Sequence, residues 1–298
     1  MTTTITVIGL GAMGLPMATN LAEDFTVNGV DINPERLDLA KKAGITTFTD
    51  SRAAVANADV VLLAVRNQAQ LEEALFGLNG IVEAMQDGAT VLLTSTVGIA
   101  GVEKAAGDLA EHGIDIIDAP VSGGPVRAGE GDLLVVVGAH PEVVDKRKSV
   151  LEKMAGNLVI VGDKPGAGQA MKTVNQLLCG VHIAAAGEAM ALAGKLGLDQ
   201  KAALEALMSG AAASFMLGDR GPRMLEAYTE EGAEVKSRED IFVKDMGIVT
   251  AAAKSVGIAV PVAAAAEQQY LQGVARGLAA KDDSTIITVV SPDDPRGA

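Results

Sequence analysis

The chain has 298 residues, 49% of them hydrophobic but only 2% aromatic, with a formal net charge of −14 and a single cysteine, Cys179. The length exceeds one average domain, and a core of Ala, Val, Leu, Ile and Met can fold without staples. The charge argues against nucleic acid or anionic membrane as a partner, and one cysteine excludes an internal disulfide framework.

Cys179 is expected to be a small buried hydrophobe in a reducing cytoplasm. The N-terminus lacks the basic-then-apolar pattern of a signal peptide. No apolar run is expected to approach the roughly 20 residues that span a bilayer. These features predict a soluble, cytoplasmic protein.

Up to about residue 160, apolar runs alternate with amphipathic segments. TITVIG (4–9), FTVNGVD (25–31), DVVLLAV (59–65), ATVLLTS (89–95), IDIIDAP (114–120) and LLVVVG (133–138) predict strands. Near-continuous Val, Leu and Ile suggest strands buried on both faces of a parallel sheet. NPERLDLAKKAG (33–44) and GVEKAAGDLAEHG (101–113) predict intervening helices, the first with Asn33 as N-cap, Pro34 at the first helical position and Gly44 as its stop. This alternation predicts a doubly wound α/β domain over 1–163. Beyond a cluster of Gly162, Pro165, Gly166 and Gly168, an all-α domain is expected over 164–298. It opens with one long helix from about 167 to 196, followed by helices near 200–209, 240–256 and 261–279, and the tail SPDDPRGA is expected to fray. Residues 1–163 hold 22 acidic and 11 basic side chains and the remainder 16 and 13, so the helical domain is the less hostile to an anionic ligand.

The glycine turn Gly9-Leu10-Gly11-Ala12-Met13-Gly14 follows the first predicted strand and opens a predicted helix. Asp31 ends the second strand 22 residues after Gly9. A lone GxGxxG is weak, but this context is that of a dinucleotide-binding turn. Gly9 permits the tight turn, Gly11 lets the backbone approach a pyrophosphate, and Gly14 allows close packing of helix on strand. The diphosphate would rest on the helix N-terminus. Asp31 can accept from ribose hydroxyls and repels a 2′-phosphate, so NAD is preferred over NADP. Arg36, one turn into the next helix, is expected to be solvated.

Further along, DAPVSGG (118–124) places Ser122, Gly123 and Gly124 in a loop after a strand. They read either as carboxylate donors or as a plain glycine loop. On the long helix, Lys172 and Asn175 are three residues apart and share a face. Lys172 reads either as a general acid/base of lowered pKa or as a lysine snorkelling at a helix end. His112 and His140 sit at a helix end and a turn, and His182 lies about 15 Å along the helix from Lys172. No Cys/His cluster suggests a metal, and no Gly-x-Ser-x-Gly elbow suggests a serine hydrolase.

In order along the chain, GLGAMGLPMATNL, DAPVSGG, GAGQAMKTVNQ and FVKDMGI (242–248) resemble the motifs of the β-hydroxyacid dehydrogenase family, which includes 3-hydroxyisobutyrate dehydrogenases, tartronate semialdehyde reductases and L-threonate dehydrogenases. The resemblance covers about Thr4 to Val290 and implies a Rossmann-type domain followed by a helical one. It also implies roles. Lys172 would carry the proton at the substrate oxygen, while Ser122, Gly123, Gly124 and Asn175 would hold the substrate. Val65, Arg66 and Thr96 would contact NAD beside the glycine turn, and Lys244 and Asp245 would reach the cofactor, Lys244 the substrate as well. The long helix would support a homodimer or homotetramer. Arg66 stands where proline is usual and Leu93 where Asp is frequent, and DIN (31–33) replaces the Asn-Arg of NADP-preferring members. SFMLGDRGPRMLE and DIFVKDMGIV are most similar to the threonate branch. An imine reductase shares this architecture but generally lacks the lysine, and a dead nucleotide-binding scaffold would be expected to lose Lys172 or Asn175. The expected activity is therefore NAD-dependent oxidation of a small hydroxy acid.

Overall fold

The computed structural model describes residues 3–295 and divides into two compact units, Met1–Lys172 and Thr173–Ala298. The first unit runs β1 (Thr4–Ile8), α1 (Gly14–Leu21), β2 (Thr26–Val30), α2 (Pro34–Lys42), β3 (Thr46–Phe48), α3 (Ser51–Val55), β4 (Val60–Leu63), α4 (Gln68–Phe76), β5 (Thr90–Leu93), α5 (Ile99–Ala110), β6 (Asp115–Asp118), β7 (Val121–Ser122), α6 (Gly124–Gly129), β8 (Leu133–Gly138), α7 (Pro141–Met154) and β9 (Ala155–Gly162). These strands form a nine-stranded sheet in the order β3-β2-β1-β4-β5-β6-β8-β7, with β9 added beside β8. Strands β1 to β6 are mutually parallel, and β8 turns antiparallel to β6.

Alternation along each strand feeds two cores. Ile5, Val7, Val60 and Leu62 pack with Met17 and Leu21 of α1 and Leu151 of α7 on one face. Val61, Leu63, Val91 and Leu93 pack with Leu71 of α4 and Val102 of α5 on the other. With successive residues of one strand buried on opposite faces, continuous apolar runs are required. This is the doubly wound α/β fold, and truncating Leu62 to Ala would cost about 2–5 kcal/mol. The predicted α2 caps hold: Asn33 accepts from the Glu35 N–H, and Gly44 takes φ +82°.

Three strands were not predicted. Strand β3 has three residues, β7 has two and carries Ser122, and β9 is largely exposed. Strands β3 and β7 are too short for an apolar run or for alternation, whereas β9 carries the run Leu158 to Val161 and was passed over because it leads straight into the glycine-rich segment read as the domain boundary. Strand β9 ends at Gly162, and the division between units falls inside the next helix, α8 (Ala167–Lys195). By length and composition α8 could cross a membrane, with a mean hydropathy of 1.5, contrary to the expectation from the sequence, although 44% of its most apolar window is buried in the protein. Its alanines hid this, because they are apolar without being bulky.

The second unit continues with α9 (Gln200–Met208), α10 (Phe215–Glu226), α11 (Glu239–Ser255), α12 (Pro261–Ala275) and α13 (Ile286–Val290). Ile183, Met190, Leu217, Met224, Phe242, Met246 and Tyr270 form its core. Helix α10 was missed because Gly218, Gly221 and Pro222 read as breakers. The two glycines instead leave room for Met208 and Leu204 of α9. The tail does not fray at residue 291, whose carbonyl accepts from the Tyr228 hydroxyl at 2.7 Å. Residues 296–298 lie outside the described residues.

Candidate active site

Parallel strands deliver their following loops to one edge of the sheet. The glycine turn follows β1, Val65 and Arg66 follow β4, Thr96 follows β5, and Ser122 comes just beyond β6. Strand order reverses between β1 and β4, which is where open α/β sheets bind ligands.

At the glycine turn, Gly9 takes φ +93°, and a Cβ there would fall onto the Ala64 carbonyl oxygen. A Cβ on Gly14 would fall onto the Gly9 carbonyl oxygen. The fold alone therefore explains two of the three glycines. Gly11 is different, because a Cβ there would meet no atom within 4 Å. Its missing side chain leaves open space against the backbone, and no side chain caps α1 at Met13. This cradle fits a dinucleotide pyrophosphate.

Asp31 sits beside the turn. Its Oδ2 accepts from the Leu10 N–H at 2.6 Å and its Oδ1 from the Asn33 N–H at 2.8 Å. Arg36 corrects an expectation: it is half-buried rather than solvated, and its Nε donates to the Leu10 carbonyl at 2.8 Å. The first turn of α2 lies close enough for the guanidinium to fold back. Both polar groups of Leu10 are thus held by charged side chains.

The neighbouring loops are cross-linked. The Val65 N–H donates to Ser95 Oγ at 2.8 Å, and the Arg66 N–H to Gln70 Oε1 at 2.9 Å. Arg66 itself is exposed, and Thr96 is half-buried. Ser122 pairs in register with Leu134, so it stands on a short strand rather than in a loop. A Cβ on Gly124 would meet nothing within 4 Å, leaving the backbone there accessible.

Lys172 is buried on α8, only 8% exposed. Among its neighbours in sequence, Gln169 received no role from the sequence, yet it is fully buried and bonded to Asp118 and to the Thr96 loop. Burial raises the Asp118 carboxyl above its ordinary value, against hydrogen bonds from Gln169 and from the backbone of Gly166 and Gly168. Its signal in the sequence was an Asp directly after Ile116 and Ile117 at the end of a strand.

In the second unit, Asn175 donates to Gln176 Oε1 at 2.9 Å and toward Cys179 Sγ at 3.4 Å. Cys179 is therefore half-buried beside a polar group, not a fully buried hydrophobe. Gln176 donates to Asp245 Oδ2 at 2.5 Å, and Asp245 Oδ1 lies 2.8 Å from Lys244 Nζ. Asn175, Gln176, Asp245 and Lys244 thus form one connected polar chain. No group of three metal-ligating side chains occurs among the described residues.

A doubly wound sheet with an open glycine cradle, followed by a helical unit, defines a dinucleotide-dependent oxidoreductase. Residues 4–162 match the family described as the NAD binding domain of 6-phosphogluconate dehydrogenase. Residues 166–290 match the NAD-binding family of NADP-dependent 3-hydroxyisobutyrate dehydrogenase. The chain belongs to the 3-hydroxyisobutyrate dehydrogenase-like family and is an NAD-dependent hydroxyacid dehydrogenase. It is 38% identical to the L-threonate dehydrogenase of Cupriavidus necator over 97% of this chain and 96% of that one. It is 32% identical to a 2-hydroxy-3-oxopropionate reductase of Escherichia coli, over 94% of each chain. A crystal structure of a 3-hydroxyisobutyrate dehydrogenase from Salmonella typhimurium superposes with a TM-score of 0.89 at 31% identity, covering 96% of this chain and 99% of that one.

Proposed function

We propose that the enzyme interconverts a short polyhydroxy acid, L-threonate or a close C4 relative, and its keto acid, with Lys172 as the proton carrier. The observation that supports this reading is Lys172 itself, a lysine buried on α8 with the polar Gln169, Thr173 and Gln176. In the oxidative direction its amine takes the proton of the substrate hydroxyl as the carbonyl forms. Bound NAD would supply the acceptor for the hydride that leaves the carbon bearing that hydroxyl. Ser122 and the amides of Gly123 and Gly124 donate to the substrate carboxylate, and Asn175 and Lys244 donate to its remaining oxygens. Val65, Arg66, Thr96 and Asp245, with Lys244 and the glycine turn, are assigned to cofactor binding.

The substrate class follows from chemistry. These groups are donors, and the whole chain holds no Trp, two Tyr and five Phe. A pocket that pairs hydroxyls strongly penalises an analogue lacking them, because its own polar groups are left unpaired. Threonate should therefore exceed 3-hydroxyisobutyrate, which puts a methyl where a polyol has oxygen. The 38% identity with an L-threonate dehydrogenase supports the same choice. The alternatives are 3-hydroxyisobutyrate and 2-hydroxy-3-oxopropionate, the second favoured by the 32% relative. A side-by-side kcat/KM with NAD decides among them, and faster turnover of either alternative overturns the threonate assignment.

A cytoplasmic location and assembly into a homodimer or homotetramer belong to the same proposal. The exposed Val174, Leu178 and Leu192 of α8 support assembly. Light scattering on the eluting protein tests it, and a monomeric mass would refute it.

A further inference from the structure

Gln169 lies three residues before Lys172 and is fully buried. Its Nε2 donates to the Ser95 carbonyl at 3.0 Å and to Asp118 Oδ1 at 2.9 Å. Its Oε1 accepts from the N–H groups of Val97 at 2.9 Å and Gly98 at 3.0 Å. Two donated and two accepted bonds use the full capacity of a primary amide. Three of the four partners are backbone groups of one short loop, residues 95–98, which carries Thr96.

Asp118 completes the arrangement. Its Oδ2 accepts from the N–H groups of Gly166 and Gln169, both at 2.9 Å, at the start of α8. It ends β6, four residues before Ser122. Ser95, gripped by Gln169 through its carbonyl, accepts the Val65 N–H through its hydroxyl. One buried pair therefore ties together the loops after β4, β5 and β6 and the helical turn before Lys172. Gly168 fits beside it because a Cβ there would lie 2.6 Å from the Asp118 carbonyl oxygen.

A helix start needs a capping acceptor, and Asp118 supplies one. Nothing in capping requires the second set of bonds, which run from Gln169 to a loop more than 70 residues earlier. We propose that Gln169 is a positioning residue for the reaction: with Asp118, it holds the Thr96 loop and the Lys172 turn of α8 in one fixed geometry. This inference rests on the reading of Lys172 as proton carrier. Reaction rates are steep in geometry, and a misplacement of about 1 Å costs on the order of 10²-fold. Loss of the brace should therefore reach the chemical step before it reaches cofactor affinity, since the glycine cradle is held separately by Asp31 and Arg36.

The test uses full-length enzyme with NAD and compares two variants. Gln169→Leu removes every bond of the amide. Asp118→Asn is the milder lesion, because it keeps an acceptor for the α8 N–H groups and turns one donor against Gln169 Nε2. The expected results are a kcat lowered about 10- to 100-fold in Gln169→Leu and about 10-fold in Asp118→Asn, with NADH dissociation constants within about threefold of the parent. The isotope effect with a hydroxy acid deuterated at the carbinol carbon should rise in both. A folded Asp118→Asn enzyme with parental kcat and unchanged isotope effect overturns the inference, whether or not Gln169→Leu folds. Lys172→Ala, assayed alongside, separates the two readings: if it stays active, the assignment of Lys172 falls and this inference with it. An inactive Lys172→Ala beside a fully active Asp118→Asn overturns the positioning role alone.

Discussion

Asp118 in the sheet unit and Glu239 in the helical unit are both fully buried carboxyl groups, but their surroundings differ. Asp118 accepts from Gly166, from the Gln169 backbone and from the Gln169 side chain. Glu239 accepts from the Thr285 hydroxyl at 3.1 Å, while its Oε1 has no hydrogen-bond partner. The nearby arginines are engaged elsewhere, Arg220 with Asp283 and Arg223 with Asp282. Burial is the largest influence on both groups and raises both. At Glu239 the Thr285 bond opposes it, Asp283 and Asp282 add to it, and the carboxyl is pushed up to about 8. Burial pushes both carboxyls toward the neutral acid, and N–H donors oppose it at Asp118 where Glu239 has only a hydroxyl. Asp118 is a donor-ringed carboxyl that organises loops, and Glu239, pushed up to about 8, favours the neutral acid at pH 7.

The sharpest way to break this contrast is to delete both groups. Asp118→Leu leaves three buried donors without acceptors, at about 1–3 kcal/mol each, so urea unfolding at pH 7 should show a loss of about 3–9 kcal/mol. Glu239→Gln swaps one neutral group for another of the same shape and should cost less than about 1.5 kcal/mol. Equal losses would show that the donors around Asp118 are not what distinguishes it.

The second effect is pH dependence, and its sign is set by the direction of the shift. The folded value of Glu239 lies above its ordinary 4.5, so between pH 4.5 and 8 the folded state holds a proton that the unfolded chain has released. The stability this group contributes is complete below pH 4.5, falls as pH rises through that window, and levels off above 8. The slope from this one group is up to about 1.4 kcal/mol per pH unit. Comparing urea midpoints at pH 6 and pH 8 should show a decline that Glu239→Gln removes. Parallel declines in parent and variant would place the titrating group elsewhere.

The sequence made some of this legible and hid the rest, for physical reasons. Strands β1, β4 and β5 announced themselves because both faces are covered, so their residues are apolar apart from threonines. The glycine turn was legible because a tight turn, a close approach and a helix start leave a local pattern. The Asp118–Gln169 brace was not, since its partners are 51 residues apart and the bonds to Val97 and Gly98 span more than 70. Helix α10 was hidden because its glycines serve packing against α9, while Arg220 and Arg223 fix it to buried Asp283 and Asp282. Arg36 looked solvated because its acceptor, a backbone carbonyl 26 residues away, has no sequence signature.

A third prediction separates the glycines that the fold needs from the one it does not. Gly9→Ala combines a strained φ of +93° with a clash against Ala64, and should cost about 2 kcal/mol or more of stability. Gly11→Ala meets no protein atom, so its unfolding should shift by less than about 1 kcal/mol while NADH affinity drops roughly tenfold. A Gly11→Ala enzyme that binds NADH normally would remove the case for a pyrophosphate at this turn.

Asp31 is the intermediate case, half-buried with one N–H donor on each oxygen, and it carries the smallest predicted effect. A carboxylate oxygen has room for more than one donor, so ribose hydroxyls can still bond to Asp31 while it holds Leu10 and Asn33. A 2′-phosphate would instead bring a second anion against it. NAD should therefore exceed NADP in kcat/KM by at least about tenfold, which requires only about 1.4 kcal/mol. Asp31→Asn should narrow that ratio by removing the repulsion while keeping an acceptor for one of the two N–H groups. Comparable rates with NAD and NADP in the parent enzyme would sink the assignment. The cause would then lie with Arg36, whose Nε is anchored on Leu10 but whose guanidinium stands beside the same turn. In that event Arg36→Ala should lose NADP turnover selectively, and Asp31 would be a brace for the glycine turn without a role in cofactor choice.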